Sequence, residues 1–129
     1  KQKTAYEIQV GLEFRRVLFR SVIWAHTGLY VGKVLHIKAG HSLSVQYHHQ
    51  KDETIHVLSG EMIYRVADAA GQPLREVRLV AGESYRNEPG HIHQMEAVTD
   101  CQLLEASTPH LDDVVRLSDR YGREGTSAP

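Results

Sequence analysis

Histidines are concentrated in two short windows of this chain. Five of the nine histidines fall there, at His48, His49 and His56 and again at His91 and His93. Imidazole is the commonest metal ligand in proteins and can move protons near neutral pH. Amide and carboxylate donors lie close by, and such a mixed set of donors suits a late first-row divalent metal. The sequence therefore predicts a metal site made of Gln46, His48, Glu53 and His93.

The alternation of side chains along a strand brings these donors together. Gln46 and His48 project to the same face of one strand, because successive residues point to opposite sides. Glu53 opens the next strand and joins them if its face turns inward. His93 follows a Pro-Gly turn and lies near the start of a third strand. Three strands of one barrel would then supply the four donors.

Two alternatives concern individual donors. Tyr47 and His49 form a rival frame on the opposite face of the first strand, but that frame supplies one ligand where Gln46 and His48 supply two. Glu53 is either a ligand or a hydrogen-bond acceptor that orients a histidine ligand. We favour the frame of Gln46 and His48 and keep both roles open for Glu53.

Short β-prone segments separated by turn residues make up most of the chain. Their close spacing favours an all-β sandwich or barrel, and closure of a barrel would remove exposed strand edges. Glycine and proline lie between the segments and supply the turn conformations. The predicted strands are residues 30–38, 42–49, 53–58, 61–66, 74–80, 83–86, 92–98 and 101–107.

The two ends differ from this central part. Residues 11–21 mix arginine with large apolar residues at neither the strand period nor a clean helix period, and non-native junction sequence is one interpretation. The tail is small and polar, which is typical of a flexible end. We therefore divide the chain into an N-terminal segment 1–21, a single domain 22–123 and a flexible tail 124–129.

Composition narrows the partners and the compartment. A formal net charge of −1 gives no long-range field that would collect nucleic acid. The chain has no apolar run near the roughly 20 residues that cross a bilayer, and no signal-peptide pattern. The lone Cys101 has no internal disulfide partner and reads as a small buried residue. We expect neither nucleic-acid nor membrane binding.

The spacing of these residues resembles the two sequence motifs of the cupin family. Those motifs run from a glycine through paired ligands to a glutamate and a second glycine, and later to Pro-Gly-x-x-His. The first motif usually carries His-x-His, whereas this chain has Gln46-x-His48. The matching residues are Gly40, Glu53, Gly60, Pro89, Gly90 and His93.

A narrower resemblance is to the mannose-6-phosphate-isomerase group of cupins. Residues 43–48 match its Leu-Ser-x-Gln-x-His signature, and residues 111–123 are similar to its closing segment. Relatives carry a Pro-Trp-Gly entry segment where this chain has residues 14–21. The resemblance implies a jelly-roll barrel with one divalent transition metal per chain. The affinity order favours copper, with zinc, iron, nickel and manganese open.

Two functions follow from the resemblance. Compact copper cupins that cleave cellulose oxidatively are similar in size and motif, which implies an oxidoreductase that uses oxygen or peroxide. Gln46, His48 and His93 would then hold the copper, and Tyr47 and Tyr64 would position the carbohydrate chain. The alternative is a non-redox sugar handler, either a sugar-phosphate isomerase or a sugar-binding cupin. The first function implies secretion and the second a cytoplasmic location.

Small cupins commonly pair, so the resemblance also implies a homodimer. The exposed faces of the early strands and the segment 112–123 would supply a self-complementary contact. Light scattering at micromolar concentration measures this directly, and a monomer there would contradict the expectation.

Overall fold

The described part of the chain forms twelve β-strands. The structure is a computed structural model that describes residues 18–118 with their side chains and the backbone of residues 6–9 and 125–126. The strands are β1 (Tyr6–Gln9), β2 (Phe19–His26), β3 (Val31–Ile37), β4 (Val45–Tyr47), β5 (Glu53–Ser59), β6 (Glu61–Ala67), β7 (Arg75–Val80), β8 (Ser84–Asn87), β9 (Ile92–Ala97), β10 (Cys101–Ser107), β11 (Val115–Ser118) and β12 (Gly125–Thr126).

The strands form two six-stranded sheets that enclose one core. The orders are β1-β2-β3-β10-β5-β8 and β12-β11-β4-β9-β6-β7. The pairs between described strands are antiparallel, and both sheets contribute side chains to the same apolar cluster. The predicted all-β jelly-roll fold in a single domain is confirmed. Among the described residues, no helix is long and apolar enough to cross a membrane.

Period-two alternation explains why these segments bury one face. In β5, Ile55 and Val57 are fully buried, and the residues between them point away from the core. In β6, Met62 and Tyr64 are buried in the same way and lie in the same cluster. Leu103 of β10, which pairs with Val57, extends the core along the first sheet. Antiparallel strands with one solvated face show this pattern.

Each predicted strand is present, with two changes at the edges. The predicted strand 42–49 is shorter, β4 (Val45–Tyr47), because Ser42 makes an isolated bridge and His49 leaves the sheet in a turn. Four of the described strands were not predicted: β1, β2, β11 and β12. Residues 19–21, inside the segment that could not be interpreted, belong to β2 and pair with β3.

Most of the predicted terminal segments lie outside the described residues. Residues 1–5 and 10–17 of the N-terminal segment are among these, as are residues 119–124 and 127–129. Gly125 and Thr126, within the predicted flexible tail, form β12 and pair with Arg116 and Val115 of β11.

Gly60 closes the hairpin between β5 and β6 at a φ of 91°, where a side chain would be strained. A Cβ there would also overlap the carbonyl oxygen of Asp100. We expect Gly60→Ala to lower the free energy of unfolding by at least about 2 kcal/mol, the sum of backbone strain and steric overlap. Gly71 has a similar φ but open space around it, so Gly71→Ala should cost about half as much or less. Urea denaturation of both variants measures the difference, and equal losses would contradict the steric part.

The topology brings the predicted donors to one end of the barrel. Gln46 of β4 pairs directly with His93 of β9 in one sheet. Glu53 begins β5 in the other sheet, between Ser107 of β10 and Asn87 of β8. The two inner faces meet there, so donors 47 residues apart in sequence become neighbours.

Candidate metal centre

Three of the predicted ligands converge on one point inside the barrel. The Nε2 atoms of His48 and His93 each lie 3.2 Å from Oε2 of Glu53. The side chains are 1%, 1% and 2% exposed, respectively. One donor atom from each residue lies within 4.8 Å of the others. This buried group could hold a metal ion.

Hydrogen bonds at the back of each imidazole fix which nitrogen faces the site. His48 Nδ1 lies 2.6 Å from the carbonyl oxygen of Asp113, and His93 Nδ1 lies 3.2 Å from that of His91. A carbonyl only accepts, so each Nδ1 carries a proton and donates it. This is the usual support of a metal-binding histidine, and it leaves Nε2 free to face the metal.

The contacts at the front of the rings require a positive charge. A neutral imidazole protonated at Nδ1 presents a lone pair at Nε2, and a carboxylate oxygen presents lone pairs as well. Two such acceptors 3.2 Å apart repel unless a proton or a metal ion lies between them. Ligands about 2.1 Å from one metal are about 3.0–3.4 Å apart at octahedral or tetrahedral angles. The residues present therefore fit a divalent metal.

Gln46 lies at the edge of this group. Its Nε2 is 3.5 Å from Nε2 of His93, and its Oε1 accepts a hydrogen bond of 2.7 Å from the hydroxyl of Ser44. In this orientation the amide presents N–H groups to the site, and a flipped amide would present its oxygen. The Ser44 hydroxyl serves either orientation, since it both donates and accepts. A ligand role for Gln46 stays a prediction.

The second oxygen of Glu53 is held by a buried lysine. Lys51 Nζ lies 3.0 Å from Glu53 Oε1 and 3.1 Å from Glu105 Oε2, and the three side chains are almost completely buried. Burial raises the pKa of the Glu53 carboxyl, but the Lys51 charge and the hydrogen bonds with His48 and His93 lower it more. The pKa of Glu53 consequently lies well below its ordinary value, and the group stays ionised.

Polar groups that lack a protein partner surround this end of the barrel. Asn87 Nδ2 donates to Glu53 Oε2 at 3.2 Å, which leaves Asn87 Oδ1 unpaired. The Tyr64 hydroxyl and the Ser107 hydroxyl are also buried without a hydrogen-bond partner. Buried polar atoms normally find a partner in protein, water or ligand. The interior beside the three converging donors therefore suits a ligand rich in hydroxyl or carboxyl oxygens.

The two predicted tyrosines differ in burial, since Tyr64 lies in the core and Tyr47 is half-buried. Tyr64 is completely buried, and its ring centroid lies 6.0 Å from that of His93. Burial, followed by the charges of Glu53 and Glu105, raises its pKa well above the ordinary value. Tyr47 is on the other face of β4 from Gln46, and its ring contacts His49 edge-on at 5.4 Å. Tyr64 is thus next to the site, and Tyr47 faces away from it.

Sequence reasoning missed four residues that contact the site, and their signals differ. Glu105 lies on the inward face of β10, in phase with Cys101 and Leu103, so a charged residue at a core position was its signal. Lys51 lies two positions before Glu53 and contacts Glu105. No local sequence pattern indicates that Asn87 and Asp113 lie at the site. Their contacts depend on how the strands are arranged.

Asp113 holds the turn that carries His48. Its carboxylate accepts backbone N–H groups of His49, Gln50 and Lys51, and its carbonyl oxygen accepts His48 Nδ1. Burial raises the pKa of Asp113, but the three backbone hydrogen bonds outweigh burial and lower it overall. One residue thus fixes both the turn and the orientation of a candidate ligand.

We expect Asp113→Ala to lower the free energy of unfolding by about 1–3 kcal/mol, because three backbone donors lose their acceptor. The pKa of the Asp113 carboxyl is lower in the folded protein than its ordinary value of 3.8. The carboxylate therefore contributes its full stability at a pH above 3.8, and this contribution is lost as the pH falls through the lower pKa of the folded state. The difference from wild type should therefore vanish in acid. Urea denaturation across that range measures it, with Asp112→Ala, at an exposed neighbour, as the control. A pH-independent difference would contradict the role given to the carboxylate.

The fold of this chain was compared with those of known proteins. No curated protein matches the chain. Its fold is similar to that of KdgF from Halomonas sp., with a TM-score of 0.64 and 19% identity over 73% of this chain and 81% of that one. It is also similar to a putative sugar phosphate isomerase from Acidithiobacillus ferrooxidans, with a TM-score of 0.57 and 15% identity over 68% of this chain and 56% of that one.

A third similar structure contains manganese. It is the oxalate decarboxylase of Bacillus subtilis with its Mn(II) centres, at a TM-score of 0.68 and 16% identity over 84% of this chain. The chain spans only 29% of that protein, and identities this low show the fold alone. The sequence model of the cupin domain matches residues 33–107, more than half of the chain and the part that holds His48, Glu53 and His93. The chain therefore belongs to the cupin family.

Proposed function

We propose that this chain is a mononuclear metal-dependent cupin enzyme that acts on a small, oxygen-rich molecule of the carbohydrate class. The observation that carries the proposal is the convergence of His48 Nε2, His93 Nε2 and Glu53 Oε2 on one buried point, each histidine being held from behind by a carbonyl. Three protein ligands leave coordination positions open, which is the arrangement of a catalytic site rather than a structural one.

The side chains around the site have separate tasks. A bound divalent metal would supply Lewis acidity toward a carbonyl or hydroxyl oxygen. Gln46 would donate an amide N–H to a ligand at the edge of the site, and Asn87 Oδ1 would accept a hydroxyl proton. Tyr64 keeps its proton because its pKa is raised, so it would donate a hydrogen bond and not act as a base. These groups bind and orient a polyhydroxylated molecule.

Burial of the ligands supports a small substrate. His48, Glu53 and His93 are each 2% exposed or less, whereas a polymer too large to enter the barrel would need the metal at the surface. The resemblance to sugar-handling cupins and the similarity to a putative sugar phosphate isomerase support the carbohydrate class.

The donor set favours one further candidate. Two imidazoles with one carboxylate, and an amide if Gln46 also binds, suit a late first-row divalent metal, and the affinity order among these metals favours copper. Copper-dependent oxidative cleavage of cellulose with oxygen or peroxide is the reaction that this candidate implies. It requires a route by which the sugar chain reaches the buried ligands.

Metal analysis of protein purified without added metal tests the site itself. We expect one divalent transition metal per chain, and for copper we expect an electron paramagnetic resonance spectrum with nitrogen couplings from His48 and His93. If the purified protein holds no metal, it should bind manganese, iron, cobalt, nickel, copper or zinc with a stoichiometry of one. Failure to bind any of these ions at micromolar concentration would refute the proposal.

Product analysis separates the two reactions. The copper-loaded protein is incubated with cellulose and either a reductant or peroxide, and aldonic-acid ends are measured. The zinc-loaded protein is incubated with mannose 6-phosphate, and isomerised hexose phosphate is measured. Oxidised cellulose ends would establish the copper reaction, and isomerisation without oxidation would support action on a small sugar.

A further inference from the structure

A buried lysine neutralises the carboxylate of the candidate metal centre. Lys51 Nζ lies 3.0 Å from Oε1 of Glu53, and the two side chains are 5% and 2% exposed. The other oxygen of Glu53 faces the imidazoles of His48 and His93. Lys51 thus occupies one oxygen and leaves Glu53 a single oxygen for a metal.

The same lysine belongs to a larger buried group of charges. Lys51 Nζ also lies 3.1 Å from Oε2 of Glu105, and Lys33 Nζ lies 3.9 Å from that oxygen. Two ammonium groups and two carboxylates sum to zero. The histidines add no charge when a metal lies at Nε2, because their protons are on Nδ1. This group of four charged side chains therefore carries no net charge before a metal binds.

The zero net charge of this group affects which further ligand a bound metal would favour. In a site where a carboxylate ligand is unpaired, that carboxylate cancels one charge of a divalent ion. Here Lys51 already cancels it, so a divalent ion would bring two uncompensated charges into a buried site. Uncompensated buried charge is costly unless an opposite charge accompanies it. The neighbouring Gln46, Tyr64 and Asn87 are neutral and cannot supply that charge.

We infer that the metal-loaded site takes an anionic oxygen ligand, of the hydroxycarboxylate class, in preference to a neutral sugar. This inference rests on the proposed function and narrows its substrate class to sugar acids and related anions. The unpaired oxygens of Tyr64, Asn87 and Ser107 would form hydrogen bonds with the hydroxyl groups of such a ligand.

The test compares two small probes on the cobalt-loaded protein, followed by its visible spectrum. Glycolate and ethylene glycol offer similar oxygen donors and differ in charge. We expect Lys51→Gln to weaken glycolate binding about tenfold and Glu105→Gln to strengthen it by a similar factor, because a unit charge at this range acts strongly at an effective dielectric constant of about 20. Binding of ethylene glycol should change less than twofold in both variants.

The two variants are expected to change glycolate binding in opposite directions, which distinguishes an effect of charge from general damage to the fold. Glutamine at 51 removes the charge but retains a side-chain amide with two hydrogen-bond donors. Glu105→Gln leaves the pair of Lys51 and Glu53 intact. If Lys51→Gln does not fold, Glu105→Gln decides alone, and unchanged or weaker glycolate binding then overturns the inference. Equal shifts for both probes also overturn it. A protein that binds no cobalt at all would instead refute the proposed function.

Discussion

Replacement of either His48 or His93 by alanine should abolish stoichiometric metal binding. Each imidazole supplies one of the three converging donor atoms, and its loss leaves a buried pair that cannot complete a site. Loss of a group that only supports a ligand costs about 10–100-fold in metal affinity, so loss of a ligand itself should cost at least about 100-fold. Titration with copper or cobalt, followed by spectroscopy, measures the change.

His56 provides the matched control for this experiment. It is a histidine of the same β-rich region, but its ring lies on the outer side of β5 and contacts the hydroxyl of Ser84 at 2.8 Å. His56→Ala should leave both the stoichiometry and the nitrogen couplings unchanged. Metal binding that survives in His48→Ala and His93→Ala, or that falls equally in His56→Ala, would place the site elsewhere.

Replacement of Lys51 by methionine should destabilise the metal-free protein by about 3–5 kcal/mol, the cost of breaking a buried ion pair by removing one partner. Methionine has a similar length but carries neither charge nor hydrogen-bond donor. Glu53 and Glu105 would then remain buried without the ammonium group that lies between them. Urea denaturation at neutral pH measures the loss.

Two further variants test the reason for that loss. Lys38→Met removes a lysine whose pairing with Asp100 is exposed, and it should have a much smaller effect because solvent screens that pair. The double variant Lys51→Met with Glu105→Gln removes one of the two carboxylates that Lys51 contacts, so that Lys33 again balances the remaining negative charge, and it should recover part of the stability. A loss of under about 1 kcal/mol in Lys51→Met would contradict the role of the ion pair.

Prediction from sequence succeeded where the determining interactions are local. The strand segments that carry Ile55 and Val57, or Met62 and Tyr64, show the period-two burial that defines one face. The inward phase of His48 and Glu53 and the outward phase of His56 follow from the same alternation. Alternation is a property of neighbouring residues, so a single sequence contains it.

Strand β2 was not predicted because its apolar and polar residues do not alternate regularly. Its inward positions include the polar Ser21, and its outward positions include the apolar Val22 and Trp24, so the expected alternation is reversed in part. The outward Trp24 packs its indole on Gly32 of β3, a contact between two strands. Such a contact is visible only once the strands are paired.

The sequence by itself determined the family motifs, the β-strand character of the chain and the identity of the three converging donors. Only the tertiary structure decided what surrounds those donors. Strand β10 pairs with both β3 and β5, and this order brings Glu105 beside Lys33 and close to Lys51. Asp113 meets His48 across 65 residues because β11 pairs with β4. Contacts between distant segments depend on the strand order, which no local pattern of residues specifies.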